Sequence, residues 1–221
     1  MRGGWQRRWA VAWLVAVGAC ASRGQSVKPD EMGAGQHRQE AQQERQAAAK
    51  LEEHAPRVDL EPPVEPPMHT STPKYAYDPA DWHTQQAERL RAHARQHERA
   101  AKSLERFEKA ECRDIPPSVR AACPLFGPLT KLEDLPNGVR ATFAPGTRVD
   151  LITAHMRCHF AYAQSRGFDE VLACPLYLRG IEIIRASDPD AVDIVSTDPR
   201  VASAIHERSR EEASFLRHRT P

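Results

Sequence analysis

Aromatic residues are scarce in this chain, at 6% of 221 residues, and its formal charge is nearly balanced, at +1. The balance argues against nucleic acid as a partner, because no basic surplus exists to replace counterions on phosphates. There is no glycine-rich phosphate loop, no HExxH, no GxSxG and no paired-carboxylate signature, so no familiar hydrolase, metalloprotease or nucleotide-binding site is indicated. No apolar run reaches the ~20 residues that a bilayer-spanning helix needs. From Ser22 to Leu60 large apolar residues are almost missing. Such a stretch buries too little to offset the entropy of ordering and is expected to lack fixed structure. Within it HRQEAQQERQAAAKLEEHA is rich in helix formers, which predicts transient helix at most.

What is present begins with Met1 to Ala19, where Arg2, Arg7 and Arg8 precede an apolar run and then small residues. This is the three-part layout of a secretory signal peptide. Its end, Val17-Gly18-Ala19-Cys20, resembles the lipobox of bacterial lipoproteins, with Val17 where that family more often has leucine. The alternative is ordinary cleavage after Ala19-Cys20-Ala21, which also fits the small-x-small rule. The resemblance implies that Cys20 becomes a lipid-modified N-terminus held in the bilayer by acyl chains, each buried methylene contributing ~0.8 kcal/mol. Ala21-Ser22 lacks the aspartate that retains family members at the inner membrane. The implied address is therefore the outer membrane, with the folded part in the periplasm or at the cell surface. Without the three leader arginines the 31 basic residues become 28 against 30 acidic ones, a net of −2.

Four cysteines remain beyond Cys20: Cys112, Cys123, Cys158 and Cys174. An even number in an exported chain points to disulfides, since the periplasm is oxidising. Proximity in sequence favours Cys112 with Cys123 and Cys158 with Cys174, each bridge contributing roughly 3 kcal/mol.

Many of the 18 prolines fall between Pro56 and Pro79, so residues 20–78 are expected to form a tether, extended at ~3.1 Å per residue where proline-rich. Asp81 to Glu111 has Ala87, Leu90, Ala94, Ala101, Leu104 and Phe107 at three- and four-residue spacings. That predicts one long helix over 79–112 with a thin, alanine-rich seam, either a weak coiled coil or a helix leaning on the domain. Residues 113–221 carry a weak internal repeat of roughly 50 positions. The first copy has Lys131 to Asp134, the turn Leu135-Pro136-Asn137-Gly138, Val139 to Ala144, and a helix from Arg148 to Arg166. Thr147 is the expected cap of that helix and Gly167 its stop. The second copy has Gly180 to Arg185, a turn at Ser187 to Asp190, Val192 to Ser196, and a helix capped by Asp198 and begun by Pro199. Two strand-strand-helix units predict an α+β domain, a small four-stranded antiparallel sheet with both helices on one face.

In ITAHMRCHFAYA, Ile152 to Ala163, two histidines, a methionine and a cysteine lie within five consecutive positions of a helix. A helical wheel puts Asp150, Thr153, Arg157 and Gln164 within roughly 60°, as the watered side. His155 and Tyr162 then fall opposite, with His159, Leu151 and Cys158 beside them. The bland assignment is a core face whose imidazoles bond to Tyr162, backbone carbonyls or a carboxylate, with Cys158 oxidised. The sharper one is a copper or zinc site made by His155, Met156, Cys158, His159 and Cys174. A c-type haem is disfavoured, because no second cysteine stands three residues before Cys158. A third possibility is a Cys158 thiolate activated by His155. His93 and His97 lie four apart as metal ligands can, without the Glu of HExxH or an evident third ligand.

The first functional expectation is a lipid-anchored envelope protein, without cofactor, presenting a disulfide-stabilised domain to an envelope protein partner. The alternative is a periplasmic protein that binds or senses copper or zinc, and the second alternative a thiol-dependent enzyme.

Overall fold

The computed structural model describes residues 28–54, 79–126, 129–168 and 174–217. The leader, Cys20 and the proline-rich run up to Tyr77 and Asp78 lie outside them. None of the described helices is long and apolar enough to cross a membrane.

The α+β domain has the expected two-unit architecture. Strands β1 (Leu129–Leu135) and β2 (Gly138–Phe143) are followed by helix α3 (Val149–Ser165). Strands β3 (Glu182–Arg185) and β4 (Ala191–Val195) are followed by helix α4 (Pro199–Arg217). All pairings are antiparallel in the order β1-β2-β4-β3, so the second strand of each unit lies at the centre. Val139 faces Ile194 and Ala141 faces Val192 across that centre. These four side chains and Phe143 are buried, and α3 and α4 close over them from the same side. Between them on the solvent face, Arg140 and Asp193 form a two-pronged ion pair at 2.7 and 2.8 Å. Odd and even positions of β2 therefore separate core from solvent, as the pleat requires.

Gly138 sits where β2 runs tight against β4, and a Cβ there would fall on the carbonyl oxygen of Ile194. Gly138→Ala is expected to destabilise the domain by about 2 kcal/mol through overpacking. A urea midpoint equal to that of the wild type would contradict this.

Helix ends obey the sequence signals at three of four points. Asp198 Oδ1 accepts the Arg200 amide at 2.8 Å, and Pro199 opens α4. Gly167, at φ 72°, stops α3, with the Phe168 amide returning to the Ala163 carbonyl at 2.9 Å. The start of α3 differs, because Arg148 is the N-cap and no side chain bonds there. Thr147 is spent in the preceding turn, its amide donating to Ala144.

Residues 34–54, expected to belong to the unstructured tether, form helix α1 (Ala34–His54). It packs antiparallel on helix α2 (Pro79–Glu111). Composition misled because the partner surface is alanine. Ala34, Ala41 and Ala48 on one helix and Ala87, Ala94 and Ala101 on the other are all buried, at seven-residue spacing. Small seam residues let the backbones approach, and dispersion over that contact replaces large apolar side chains. Three ion pairs, Arg38–Glu105, Arg45–Glu98 and Arg91–Glu52, flank the seam. They step seven residues up one helix and seven down the other, which fixes the antiparallel register. Each is exposed and individually weak.

Two disulfides fasten the parts. Cys112 bonds to Cys158 with Cα atoms 4.6 Å apart, and Cys123 bonds to Cys174 at 6.4 Å. The neighbour pairing, Cys112 with Cys123 and Cys158 with Cys174, is therefore incorrect. Sequence proximity did not register that α2 lies along α3, which sets the end of α2 against Cys158 in mid-helix.

Candidate metal centre

The five side chains expected to share a metal are dispersed by the fold. His155 stands at the margin of α3, its Nε2–H donating to the Val119 carbonyl at 3.0 Å. Met156 is fully buried in the apolar core. Cys158 is held in the bridge to Cys112 and fully buried, so the oxidised protein has no thiolate there for a metal or for catalysis. Only His159 and Cys174 come together, and Cys123 joins them, with their ligand atoms within 4.8 Å of one another.

The helical wheel failed at two positions on α3. Thr153 is buried, its hydroxyl satisfied by the Val149 carbonyl at 2.7 Å, while Leu151 is 50% exposed. The helix is covered on two sides, by the sheet and by α2 with the loop after it, so a single apolar direction does not describe it. The imidazole bonds to backbone carbonyls are present: His159 Nδ1–H donates to the Arg120 carbonyl at 2.8 Å. Burial is the main cause holding the His159 pKa below its ordinary value, and the charge of His155 adds to it.

A second cluster lies in the helical hairpin. His37 and Glu44 occupy α1 positions three residues beyond Ala34 and Ala41 in the seven-residue pattern, where a coiled coil places an apolar residue. His97 and His93 face them from α2. His37 Nδ1 and His97 Nδ1 are 2.8 Å apart, so one carries a proton and the other presents a lone pair. His93 Nδ1 meets Glu44 Oε1. Ligand atoms of Glu44, His93 and His97 lie within 4.8 Å of one another. His37, His97 and Glu44 are at most 8% exposed, while the His93 side chain is half exposed. An open cavity lined by Pro29, Met32, His37, His93 and His97 leads to the cluster.

The charge state suits cations. Burial, then the neighbouring His97, lowers the His37 pKa, which favours the neutral imidazole that binds metals. Glu44 is 9% exposed at its side chain, and its Oε2 has no hydrogen-bond partner. A buried oxygen of this kind carries an uncompensated cost unless something binds it. Three imidazoles and a carboxylate are the donors of zinc and similar divalent ions, whose ligand atoms at 2.0–2.2 Å from the ion sit roughly 3.3 Å from each other. The ligand atoms of Glu44, His93 and His97 lie within 4.8 Å of one another, and His37 adds a nitrogen 2.8 Å from His97.

Because His37 and His159 have lowered folded pKa values, protons bind the unfolded chain more readily. Their contribution is present above the ordinary histidine pKa of about 6.5 and lost as pH falls below it. The urea midpoint is therefore expected to drop between pH 7.5 and pH 5, and His37→Gln to flatten the drop. A midpoint constant over that range would contradict the burial of neutral imidazoles.

Neither a protein-family model nor a curated protein nor a solved structure matches the chain.

Proposed function

We propose that this is an exported, lipid-anchored envelope protein whose helical hairpin binds one divalent transition metal, with zinc the best fit to its donors. The anchor rests on the arginine-led leader and the Val17–Cys20 resemblance. The metal site rests on one observation above all, a buried glutamate with an unpaired oxygen set among three imidazoles. Two oxidised cysteine pairs accord with the envelope address, where sulfur is crosslinked.

The tether in this reading is short. Arg179 donates to the backbone carbonyls of Asp30 and Glu31, and an added Cβ on Gly33 would lie 2.5 Å from the Arg166 carbonyl carbon. The chain is thus docked on the domain by Asp30. From Cys20 that leaves ten residues, a reach of about 35 Å at full extension. The proline-rich run joins the two packed helices and does not separate anchor from domain.

Docking to an envelope protein partner has less support. The large apolar side chains in solvent, Trp82, Phe107, Val119, Leu151 and Ile184, are spread over α2, α3, β3 and the loop after α2. The described residues provide no cluster to hold a partner.

Zinc titrated into the full-length chain against a chromophoric chelator is expected to show one tight equivalent. Glu44→Gln and His97→Gln should each weaken it by at least about tenfold. Equal affinity in both variants would remove the hairpin from the account.

A further inference from the structure

The cluster of His159, Cys123 and Cys174 has its own chemistry, independent of the hairpin. His159 is fully buried, and its Nδ1–H is committed to the Arg120 carbonyl. That bond fixes the tautomer and leaves Nε2 as a lone pair. Nε2 has no hydrogen-bond partner, an arrangement that costs about 1–3 kcal/mol. A ring nitrogen of His159 and the sulfurs of Cys123 and Cys174 lie within 4.8 Å of one another. A buried histidine beside two sulfurs, with one nitrogen donating to a backbone carbonyl and the other unpartnered, has the outer-shell arrangement of a metal ligand.

We infer that the Cys123–Cys174 bridge is the oxidised form of a soft-metal site, and that its reduced form holds one Cu(I) through both thiolates and His159 Nε2. Reduction consumes a dithiol: its two thiols become a disulfide, and two electrons and two protons pass to Cys123 and Cys174. Copper enters as Cu(I), displaces those two protons and keeps its oxidation state. Two thiolates and one imidazole form a three-coordinate set that Cu(I) accepts, whereas zinc requires a fourth ligand. Of the two bridges this is the one a reductant reaches first, since Cys123 is 9% and Cys174 4% exposed while Cys112 and Cys158 are fully buried. The bridge is thereby a switch: crosslinked in an oxidising envelope, and copper-holding once a dithiol opens it.

The test is anaerobic Cu(I) competition on the full-length chain, using bathocuproine disulfonate as the competing chelator, before and after dithiothreitol treatment and desalting. The reduced protein is expected to retain one Cu(I) roughly 100-fold more tightly than the oxidised one. Cys123→Ser/Cys174→Ser should lose the gain, Cys112→Ser/Cys158→Ser should keep it, and His159→Gln should weaken it by about tenfold or more. Retention by the Cys123→Ser/Cys174→Ser protein equal to that of wild type would overturn the assignment. So would loss of helical circular dichroism on reduction, because the three ligands are then no longer held together. Glu44→Gln reads the hairpin site separately, so each proposal can fail without the other.

Discussion

Removing the Cys112–Cys158 bridge with the double substitution Cys112→Ala/Cys158→Ala is expected to lower unfolding stability by about 4 kcal/mol, the value for closing a loop of this size. The bridge spans 46 residues and joins the end of α2 to the middle of α3. The effect should be large for a domain whose core includes few aromatics, because net stabilities of folded chains are themselves only about 5–15 kcal/mol. The same substitution should loosen the hairpin from the domain. The remaining ties at that end are Glu108 with Ser165, Arg120 and Arg166. Urea unfolding followed by circular dichroism measures the loss, and a change under about 1 kcal/mol would show that α2 is held by packing alone.

The second large effect is stabilisation by metal. Zinc at 100 times its dissociation constant should raise the unfolding free energy by about 2.7 kcal/mol, provided that only the folded chain binds it. The gain should fall to about half or less in His97→Gln, whose side chain sits in the seam, and should fade in acid, where protons compete with the metal for its ligands. His97→Gln also removes the contact with His37, so its metal-free stability is the reference. A variant as strongly stabilised by zinc as the wild type would place the metal elsewhere.

The two hairpins, Gly167, Asp198 and Pro199 were legible in the sequence because each depends on local chemistry: alternation, a left-handed glycine, a cap, and a proline at the first helical position. Helix α1 was not, because its stability comes from a partner 24 residues further along the chain. The signal existed as a pattern across two segments: alanines at 34, 41 and 48 against 87, 94 and 101, and Arg38, Arg45 and Glu52 against Glu105, Glu98 and Arg91. Reading each segment by its own hydrophobicity concealed a seam that works through small residues and matched charges. With α1 went His37 and Glu44, the side chains that meet His97 and His93.

The sulfur-rich stretch of α3 misled for a related reason. Five soft or nitrogen ligands within one helix and the next loop suggested a single site, but a helix spreads neighbours around its circumference. Met156, Cys158 and His159 face different surroundings: the core, α2, and the loop bearing Cys123. Disulfides and metal binding also cease to compete, since the hairpin cluster contains no sulfur. In the proposed reading, both bridges stay oxidised while the hairpin holds zinc.

The central claim is that the resting, oxidised protein binds its metal in the hairpin through nitrogen and oxygen only. Zinc K-edge absorption on the oxidised full-length chain, loaded with one equivalent, tests it most directly. The account expects a single shell of nitrogen and oxygen at about 2.0–2.1 Å and no sulfur scattering at about 2.3 Å. A sulfur shell, or failure of the chain to retain the zinc, would contradict it.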